Sequence, residues 1–365
     1  MTIQSPAGNS RTSTTKPGRS PAGSSPRVLA VVGNLSACEG YRIFSPFSHL
    51  VKLGYQTAWA TCAQAAQIDI DQWDVVVLPR LGLLEMDKIE VFFADLHGRG
   101  KVVVYETDDD LTRIPDWNPS KMDEEHVRGI VEMMRRCDLV TVSTHHLASQ
   151  LRQYNPKIVV LPNCVDPDVW SFPREGVRKV EGLTVGVHGG NSHLKDWEIL
   201  AEVWPVLAQR YPEVKFVVAG YHPPYFDELG LGERLVKIGW VPLGSHPAVV
   251  YQIDIGCCPL NNDVFSRSKS PVKWMESAMV GAPCVVSPTV YGNYVQHGAT
   301  GFVARTKQEW IRYLERLIQK PRLRQEIGRA ARGHVLTHLN IHDKASLWMQ
   351  AYRKAWQETR SRTRA

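Results

Sequence analysis

Short apolar runs recur along this chain with helix-like stretches between them, and this alternation restricts the fold more than any other feature. A run of about four to eight consecutive apolar residues is typical of a parallel strand that is covered on both faces. The first such runs lie at residues 27–33, 74–78, 101–105, 139–142 and 157–161. Helical patterns over 122–136 and 145–154 stand between several of them. Strands that alternate with helices predict an α/β fold built on a parallel sheet.

The alternation pauses after Asn163 and then starts again. Residues 164–182 contain two prolines and mixed charge, which is typical of a linker. The second series of apolar runs lies at residues 183–187, 214–219, 235–238, 253–258 and 284–287. Two doubly wound, Rossmann-like parallel sheets in series predict a cleft between them. Ligands of such sheets bind outside the carboxyl ends of the strands.

These patterns divide the chain into four segments. Residues 1–26 carry three basic residues, no acid and many turn-forming residues, which predicts a disordered basic tail. Rossmann-like domains are predicted over residues 27–175 and 176–338. Residues 339–365 predict a C-terminal helix that packs back on the first domain and ends in a basic tail. Three aromatic residues of this helix recur every fourth position, and we interpret them as its packing face: Trp348, Tyr352 and Trp356.

Composition excludes several classes of protein. The chain has 365 residues, of which 43% are hydrophobic and 22% charged, so it can bury a large core without disulfides or a metal. The net charge is +6, and residues 1–26 supply half of it, which leaves too little for a nucleic-acid surface on the body of the protein. Seven cysteines without a Cys-x-x-Cys pair predict a reduced protein of the cytoplasm. No apolar run reaches the roughly 18 residues of a membrane span, and no signal-peptide core follows the N-terminus.

The strongest chemical signal is a predicted short helix that begins near Ser270. Ser270 suits the N-cap and Pro271 suits the first helical position. The free amide groups at such a helix start bind anions. Lys269 and Lys273 flank this end, where the helix dipole disfavours cations unless an anion is bound. The pattern therefore predicts a phosphate ligand. For Glu276, in the second turn, a solvated ion pair with Lys273 is the alternative to a binding role.

A second anion-binding loop is predicted after the strand at 183–187. It contains His188, Gly189 and Gly190, and glycines allow the backbone to approach a phosphate closely. Lys195 is expected to open the following helix. A lone Gly-Gly pair is only a weak signal for an anion-binding loop. For Lys195, the alternative to a binding role is that it is an ordinary surface residue.

Residues 276–286 (ESAMVGAPCVV) carry a resemblance to a known family. They resemble the second half of the motif of family 4-type glycosyltransferases (glycosyl transferases group 1) of the GT-B fold. Residues 298–303 and 161–166 resemble that family's G-x-x-G-hydrophobic segment and its Pro-Asn-x-hydrophobic-Asp approach to the interdomain hinge. Residues 239–241 and 254–259 fall where the family has nucleobase-contacting and core segments. The resemblance covers about residues 27–358 and is strongest over 183–305.

The resemblance implies a GT-B enzyme with an N-terminal acceptor domain and a C-terminal donor domain. It implies a retaining transfer from a nucleoside diphosphate sugar, with neither cofactor nor metal. By matching position, Glu276 would hold the donor ribose, and Lys195 and the helix start at Lys269–Val272 would hold the diphosphate and stabilise its departure. We predict Lys195, Lys269 and Glu276 as catalytic residues. The predicted donor-binding set is His188, Gly189, Gly190, Lys195, Trp240, Val241, Ser268, Lys269, Ser270, Pro271, Val272 and Glu276.

The chain departs from the family motif at Ser268. The motif has a glutamate there, and in the family that residue contacts the transferred sugar. The departure leaves the identity of the donor open, and we do not interpret it as a loss of activity.

Acceptor-side residues are expected after the strands of the first domain. Gly40, Tyr41 and Arg42 resemble a segment of the family. Arg42 could contact either the donor phosphate or the acceptor, and the alternative is a surface salt bridge. Asp108 and Asp109 follow a strand, and we expect them to orient the acceptor. A metal site and a helix N-cap are the alternatives for this acidic triplet. His145 and His146 are interpreted as cap or surface residues.

Three functions remain open from the sequence. A glycosyltransferase is favoured, and the alternatives are a catalytically silent nucleotide-sugar-binding protein and a nucleotide-sugar epimerase on the same fold. A dinucleotide oxidoreductase is disfavoured because neither domain's first strand leads into Gly-x-Gly-x-x-Gly. The expected acceptor is a cell-envelope glycan, a glycolipid or a phage-type modified DNA base. The expected location is the cytoplasm, either free or at the periphery of a membrane, or the host cytoplasm if the protein is phage-encoded. The donor sugar, the nucleotide base and the oligomeric state are not predicted.

Overall fold

The structure is a computed structural model that describes residues 25–33, 35–80, 86–172 and 176–364. The predicted tail therefore lies outside the described residues except for its last two positions. Within the described parts, the chain forms two six-stranded parallel sheets with helices on both faces. This confirms the predicted fold class of two doubly wound, Rossmann-like sheets.

The first sheet has the strand order β2-β1-β3-β4-β5-β6. Its strands are β1 (Val28–Val32), β2 (Thr57–Thr61), β3 (Val75–Pro79), β4 (Val102–Thr107), β5 (Leu139–Val142) and β6 (Ile158–Val160). Its helices are α1 (Ala37–Glu39), a π-helical turn (Gly40–Phe44), α2 (Ser45–Lys52), α3 (Cys62–Ala65), α4 (Met86–Gly98), α5 (Glu124–Arg136) and α6 (His145–Leu151). The apolar runs predicted every strand here except β2, an edge strand that is only partly buried and lacks a continuous apolar run.

The second sheet has the order β12-β11-β10-β7-β8-β9. Its strands are β7 (Thr184–Gly189), β8 (Lys215–Gly220), β9 (Leu235–Ile238), β10 (Ile255–Cys258), β11 (Cys284–Val286) and β12 (Phe302–Val303). Its helices are α7 (Glu198–Arg210), α8 (His246–Val250), α9 (Val264–Ser268), α10 (Val272–Met279), α11 (Lys307–Gln319) and α12 (Pro321–His338). Short 3₁₀ turns lie at 70–72, 191–193, 224–229, 232–234, 243–245 and 291–293.

The last helix, α13 (Ile341–Arg364), returns to the first sheet. Trp348, Tyr352 and Trp356 are buried in the same apolar cluster as strands β1 and β3. We call β1–β6 with the helices packed on them, including α13, the first lobe. We call β7–β12 with α7–α12 the second lobe.

The chain passes between the lobes twice, and the two passages touch. The first leaves β6, and the second leads from α12 into α13. The Val165 amide donates to the Leu339 carbonyl at 2.8 Å, and the Ile341 amide donates to the Val165 carbonyl at 2.9 Å. The two crossings thus form one hydrogen-bonded hinge behind the cleft.

No helix in the described parts of the chain is both long and apolar enough to cross a membrane.

Candidate functional site

A cavity of about 510 Å³ lies between the two lobes. Its size is that of a small-molecule site. The first lobe contributes residues that follow β1 and β4, and the second lobe contributes residues that follow β7, β8 and β9 together with the start of α10. Sequence-predicted residues that line it are Tyr41, Asp108, Asp109, Gly189, Gly190, Trp240, Val241, Lys269, Ser270, Val272 and Glu276. The cavity therefore sits at the strand ends where parallel sheets bind ligands.

The start of α10 forms one wall of this cavity. The N-cap is Pro271, one residue later than the sequence predicts, and the Met275 amide makes the first intrahelical bond, to the Pro271 carbonyl at 3.0 Å. The amides before Met275 have no intrahelical partner, which gives this end a partial positive charge. Ser270 does not cap the helix. Its hydroxyl accepts a 2.8 Å hydrogen bond from Asn163 of the first lobe instead.

Glu276 is the charged centre of the site. Its carboxylate is 1% exposed and still lines the cavity. The Tyr41 hydroxyl donates to Oε1 at 2.9 Å, and the Lys273 ammonium donates to Oε2 at 2.9 Å. Two imidazoles complete the surroundings, with His246 Nε2 3.4 Å from Oε1 and His188 Nδ1 3.5 Å from Oε2. The solvated Lys–Glu pair considered from the sequence is therefore a buried cluster that both lobes build.

The charges of this cluster follow from its burial. Burial by itself would raise the pKa of Glu276, but the neighbouring Lys273 and His246 outweigh it and hold that pKa well below its ordinary value. Burial and the neighbouring Lys273 depress the pKa of His188, so this imidazole is neutral at physiological pH. Glu276 is thus an ionised acceptor at the edge of the cavity at physiological pH.

Lys269 and the acidic residues of the first lobe face each other across the cleft. The Lys269 ammonium lies 3.5 Å from Asp109 Oδ1. Arg80 also pairs with Asp108 at 2.6 Å and with Asp109 at 3.2 Å. Burial acts to raise the pKa of Asp109, but Lys269 and Arg80 keep it below its ordinary value. Both aspartates are therefore neutralised by cations of the chain itself. Asp110 lies in a turn instead, where it accepts from the Thr112 amide and hydroxyl.

Two glycines bring the ends of β7 and β8 into contact at the cavity. Gly189 and Gly220 are register partners, and a Cβ on Gly220 would lie 2.4 Å from the Gly189 carbonyl oxygen. Gly220 also has φ +90°, which favours glycine. Trp240 stands beside Gly190, 72% exposed, as a large aromatic surface at the cavity rim. Gly220 was missed because a single strand-end glycine has no distinctive sequence pattern.

The structure adds a buried histidine that the sequence analysis missed. His193 lines the cavity, and its Nδ1 lies 2.8 Å from Asp196 Oδ2. The other oxygen of Asp196 accepts from the Asn261 amide at 2.8 Å, so the carboxylate fixes the imidazole ring. Burial lowers the pKa of His193, against the pull of Asp196. Lys273 and His246 were likewise absent from the predicted site, although Lys273 was noted as flanking α10.

Several predicted site residues lie away from the cavity lining. Lys195 is exposed in the turn before α7, with its ammonium 5.7 Å from the centre of the Trp117 ring of the first lobe. Ser268 is buried, and its hydroxyl donates to the Val264 carbonyl within α9. Its carbonyl accepts from Thr144 of the first lobe at 3.2 Å. Ser268 therefore joins the lobes and does not line the cavity, and Pro271 and His188 lie behind the lining residues.

Arg42 differs most from the expectation of a cleft-facing or surface residue. It is 1% exposed, and its Nε donates to Glu106 Oε1 at 2.7 Å. The same guanidinium donates to Asn163 Oδ1 at 2.9 Å and to the Leu161 carbonyl. Gly40, in the same π-helical turn, is buried as well. Tyr41 is the member of this turn that reaches the cavity.

One group of three side chains in the site could hold a metal ion. His188, His246 and Glu276 bring a ligand atom each to within 4.8 Å of one another. The Lys273 ammonium, however, already lies 2.9 Å from Oε2 of Glu276. A divalent ion bound there would stand against that ammonium, so these residues fit a cation poorly.

Comparison with known proteins identifies the class. Residues 182–320 match the model of the family described as glycosyl transferases group 1. This range contains the predicted anion loop, Trp240 and the whole of α10. Sucrose-phosphate synthase from Thermosynechococcus elongatus is similar in structure, with a TM-score of 0.67 and 12% identity over 91% of this chain and 100% of that chain. The Anabaena protein HepE in complex with UDP and glucose has a TM-score of 0.65 and 16% identity over 89% of this chain and 98% of that chain.

Two facing parallel sheets with a cavity at their strand ends thus define a protein of the GT-B fold. Residues 182–320, which lie mostly in the second lobe, match the model of glycosyl transferases group 1, and this match confirms the resemblance predicted from the motifs. Among curated proteins, it is 26% identical to 2-deoxystreptamine glucosyltransferase of Streptomyces kanamyceticus over 244 residues. That match spans 60% of this chain and 62% of the relative, which is less than two thirds of the relative's length.

Proposed function

We propose that the protein is a glycosyltransferase that moves a sugar from a nucleoside diphosphate sugar to an acceptor, with retention of configuration and without a metal ion. The observation that carries the proposal is the placement of Glu276, Lys273, Lys269 and the start of α10 around one cavity. The ionised carboxylate of Glu276 can accept hydrogen bonds from hydroxyl groups, and the two lysines and the helix start can bind a diphosphate. Together they suit a ligand that carries both. The family match over residues 182–320 supports the same function.

The diphosphate would bind at the start of α10. The unsatisfied amides there and the ammonium groups of Lys269 and Lys273 present positive charge to the cavity. Negative charge grows on the diphosphate as its bond to the sugar breaks, so these groups stabilise the transition state more than the bound donor. Cations of the chain would thereby supply the charge that a divalent ion supplies in other transferases.

The nucleoside would be held by Glu276 and Trp240. An ionised carboxylate only accepts hydrogen bonds, and the vicinal hydroxyls of ribose donate them. The low pKa of Glu276 keeps it in the accepting form throughout the physiological range. The exposed Trp240 ring offers a face on which a base can stack, a contact worth roughly 1–3 kcal/mol in other base-binding sites.

The sugar and the acceptor would meet between the two lobes. Asp108 and Asp109 line this side of the cavity, and we propose that they orient acceptor hydroxyls. A cell-envelope glycan, a glycolipid and a modified DNA base all carry such hydroxyls. The cytoplasm remains our prediction for the compartment, supported by cysteines that are all free.

A ligand panel tests the donor site first. UDP and UDP-glucose lead the panel because HepE was crystallised with them, and GDP- and ADP-sugars follow. We expect one nucleotide to raise the melting temperature, because a ligand that binds only the native state stabilises it. Lys273→Met should abolish that shift, and Lys179→Met, which breaks an ion pair with Asp254 elsewhere in the second lobe, should preserve it. Equal shifts in both variants would place the ligand outside the proposed site.

Turnover separates the proposed enzyme from its alternatives. Labelled donor is incubated with acceptor pools, and the anomeric configuration of the product is read by NMR. Transfer with retention at an unchanged rate in EDTA supports the proposal. Binding without transfer favours a silent sugar-nucleotide-binding protein, and isomerisation of donor alone favours an epimerase. Activity that is lost in chelator and restored by Mn²⁺ would contradict metal independence.

A further inference from the structure

A second cluster of metal-ligating side chains lies at the hinge, away from the cavity. It consists of His49 on α2, Asp166 and Asp168 on the first crossing, and His342 at the start of α13. These four residues each bring a ligand atom to within 4.8 Å of the others. We call them the hinge cluster. None of the four lines the interlobe cavity, and none has a part in the proposed transfer.

Three distances within the hinge cluster are close to the spacing of ligand atoms around one small ion, and Asp166 takes part in two of them with different oxygens. His49 Nε2 lies 3.1 Å from Asp166 Oδ2. His342 Nε2 lies 3.8 Å from Asp166 Oδ1 and 3.5 Å from Asp168 Oδ2. Four ligands at about 2.1 Å from a tetrahedral zinc ion stand about 3.4 Å apart. The three measured pairs lie within about 0.4 Å of that spacing, and all four ligand atoms lie within 4.8 Å of one another, so modest shifts of the side chains would bring them around one ion.

The donor set indicates which kind of ion would bind. Two imidazoles and two carboxylates suit zinc and related divalent transition metals, whereas Mg²⁺ and Ca²⁺ prefer oxygen ligands alone. Both imidazoles present Nε2 to the carboxylates, and their ring centres are 4.5 Å apart. We propose that the hinge cluster is a binding site for a divalent transition metal ion of the zinc type.

Neighbouring groups already orient the central carboxylate. The Ser45 hydroxyl donates to Asp166 Oδ2 at 3.0 Å, and the Asp168 amide donates to Asp166 Oδ1 at 3.0 Å. Metal-binding carboxylates commonly have such outer partners, which fix their orientation. The partly buried pair of His49 and Asp166 would anchor the ion, and the more exposed Asp168 and His342 would close over it.

The site would join the hinge to the first lobe. Asp166 and Asp168 follow Val165, and His342 follows Ile341, which are the residues that hydrogen-bond the two crossings together. His49 belongs to α2 of the first lobe. A bound ion would therefore fix both crossings to α2 and stabilise the fold without touching the reacting groups. It would add a constraint at the connection between the two lobes.

Lys52 gives the proposal a distinctive signature. Its ammonium lies 2.9 Å from Asp168 Oδ2, so a metal ion must displace it from that oxygen. Unlike Lys273, which is held against the buried Glu276, the Lys52 side chain is 60% exposed and can move into solvent. Lys52→Ala should therefore tighten zinc binding, by about two- to fivefold if the contact is worth as much as an ordinary surface ion pair. A hinge cluster that is only a set of salt bridges would show no gain in metal affinity.

The test uses the full chain without a histidine tag. Zinc is titrated by calorimetry, Co²⁺ is titrated by visible absorption, and melting temperature is measured with each ion and with EDTA. We expect one tight zinc per chain, a tetrahedral Co²⁺ spectrum, and a melting temperature that falls in EDTA. His342→Ala and Asp168→Asn should each weaken zinc at least about tenfold, the lower end of what even an outer-shell partner contributes. Both residues are partly exposed, so these variants should fold.

Two control variants separate this site from other histidines. His126→Ala removes one exposed imidazole that pairs with a single carboxylate, Asp123, and should leave zinc binding unchanged. His338→Ala disrupts the pair formed with His334, whose rings are also 4.5 Å apart, and should leave the tight site unchanged too. Absence of zinc binding by the unaltered chain, or equal affinity in His342→Ala, would overturn the proposal. Because the readout is affinity and melting temperature, either result leaves the proposed transferase activity to be judged separately.

Discussion

Two buried glutamates, Glu106 in the first lobe and Glu276 in the second, occupy different environments although both are ion-paired. Their exposed fractions are 0% and 1%, and each is paired with a cation. They differ in what lies on their open side. Glu106 is enclosed by protein on all sides, and Glu276 lines a cavity of about 510 Å³.

Glu106 belongs to a sealed cluster. Arg42 donates to one oxygen at 2.7 Å, and the Thr141 hydroxyl donates to the other. Trp348 of α13 covers the guanidinium, with its ring centre 5.4 Å from the Arg42 Cζ atom. Burial raises the pKa of Glu106, against the pull of Arg42 and Thr141. This ion pair holds the first sheet and the last helix together.

Glu276 belongs to an open cluster in which cationic and donor groups outnumber the carboxylate. Burial acts to raise the pKa of Glu276 as it does for Glu106, but Lys273 and His246 outweigh burial and lower the pKa of Glu276. The two clusters meet in sequence at Tyr41 and Arg42, consecutive residues of one π-helical turn that reach Glu276 and Glu106 respectively. A buried ion pair by itself therefore says little about function, and access to a cavity distinguishes the two.

The largest effect is expected from opening the sealed cluster. Glu106→Ala leaves the Arg42 guanidinium buried without its carboxylate, which should reduce the free energy of unfolding by about 3–5 kcal/mol. Equilibrium urea unfolding measures this change. Thr141→Val, which removes one hydrogen bond to the carboxylate and keeps the ion pair, should cost less, about 1.5 kcal/mol. A loss as small for Glu106→Ala as for Thr141→Val would remove the contrast between the clusters.

Glu276→Gln tests the open cluster. The amide loses the charge that accepts donor hydroxyls, which should weaken nucleotide binding by about 1–3 kcal/mol, or roughly 5- to 150-fold in Kd. Calorimetric titration with the nucleotide found in the ligand panel measures the change. The exposed Glu198 on α7 provides the control, and Glu198→Gln should bind normally. Unchanged affinity in Glu276→Gln would show that this carboxylate is structural like Glu106.

Two buried tyrosines, Tyr41 and Tyr105, test whether the hydrogen bond to Glu276 contributes to stability. Tyr41→Phe removes the interlobe hydrogen bond to the ionised Glu276, which should cost about 1.5 kcal/mol of unfolding free energy. Tyr105 is buried too, but its hydroxyl has no hydrogen-bond partner among the described residues. Tyr105→Phe should therefore cost nothing, and urea unfolding of both variants separates the contact from the effect of losing a hydroxyl. Equal stabilities would mean that the Tyr41 contact contributes nothing in solution.

The smallest effect is expected at Lys195. Its ammonium is exposed beside Trp117 and does not line the cavity, so Lys195→Ala should lower kcat by about tenfold at most, or about 1.4 kcal/mol. Donor Kd should change less than kcat, because charge on the diphosphate grows as it departs. Steady-state kinetics measure kcat and calorimetry measures Kd. Lys307→Ala, which removes a partly exposed lysine paired with Glu202 away from the cavity, is the control. A rise in Kd with kcat unchanged would contradict the predicted role.

Much of the architecture could be predicted from local pattern. The apolar runs predicted every strand of the first sheet except β2, and they predicted the resumption of alternation in the second lobe. The composition of residues 269–281 predicted a short helix with anion-binding character, within one residue of the observed start of α10. Two strands were not predicted because neither has a continuous apolar run: the edge strand β2 is only partly buried, and β12 has only two residues.

Most helices and strands are predictable from local sequence, because strand, turn and cap preferences depend on residues a few positions apart. The contacts of the charged residues depend on how distant segments pack. Arg42 meets Glu106 across 64 positions, and Tyr41 meets Glu276 across 235, so neither pairing leaves a local trace. The physical reason is that the effect of a charge depends on its desolvation and on the partners that reach it, and both are set only when distant segments pack together.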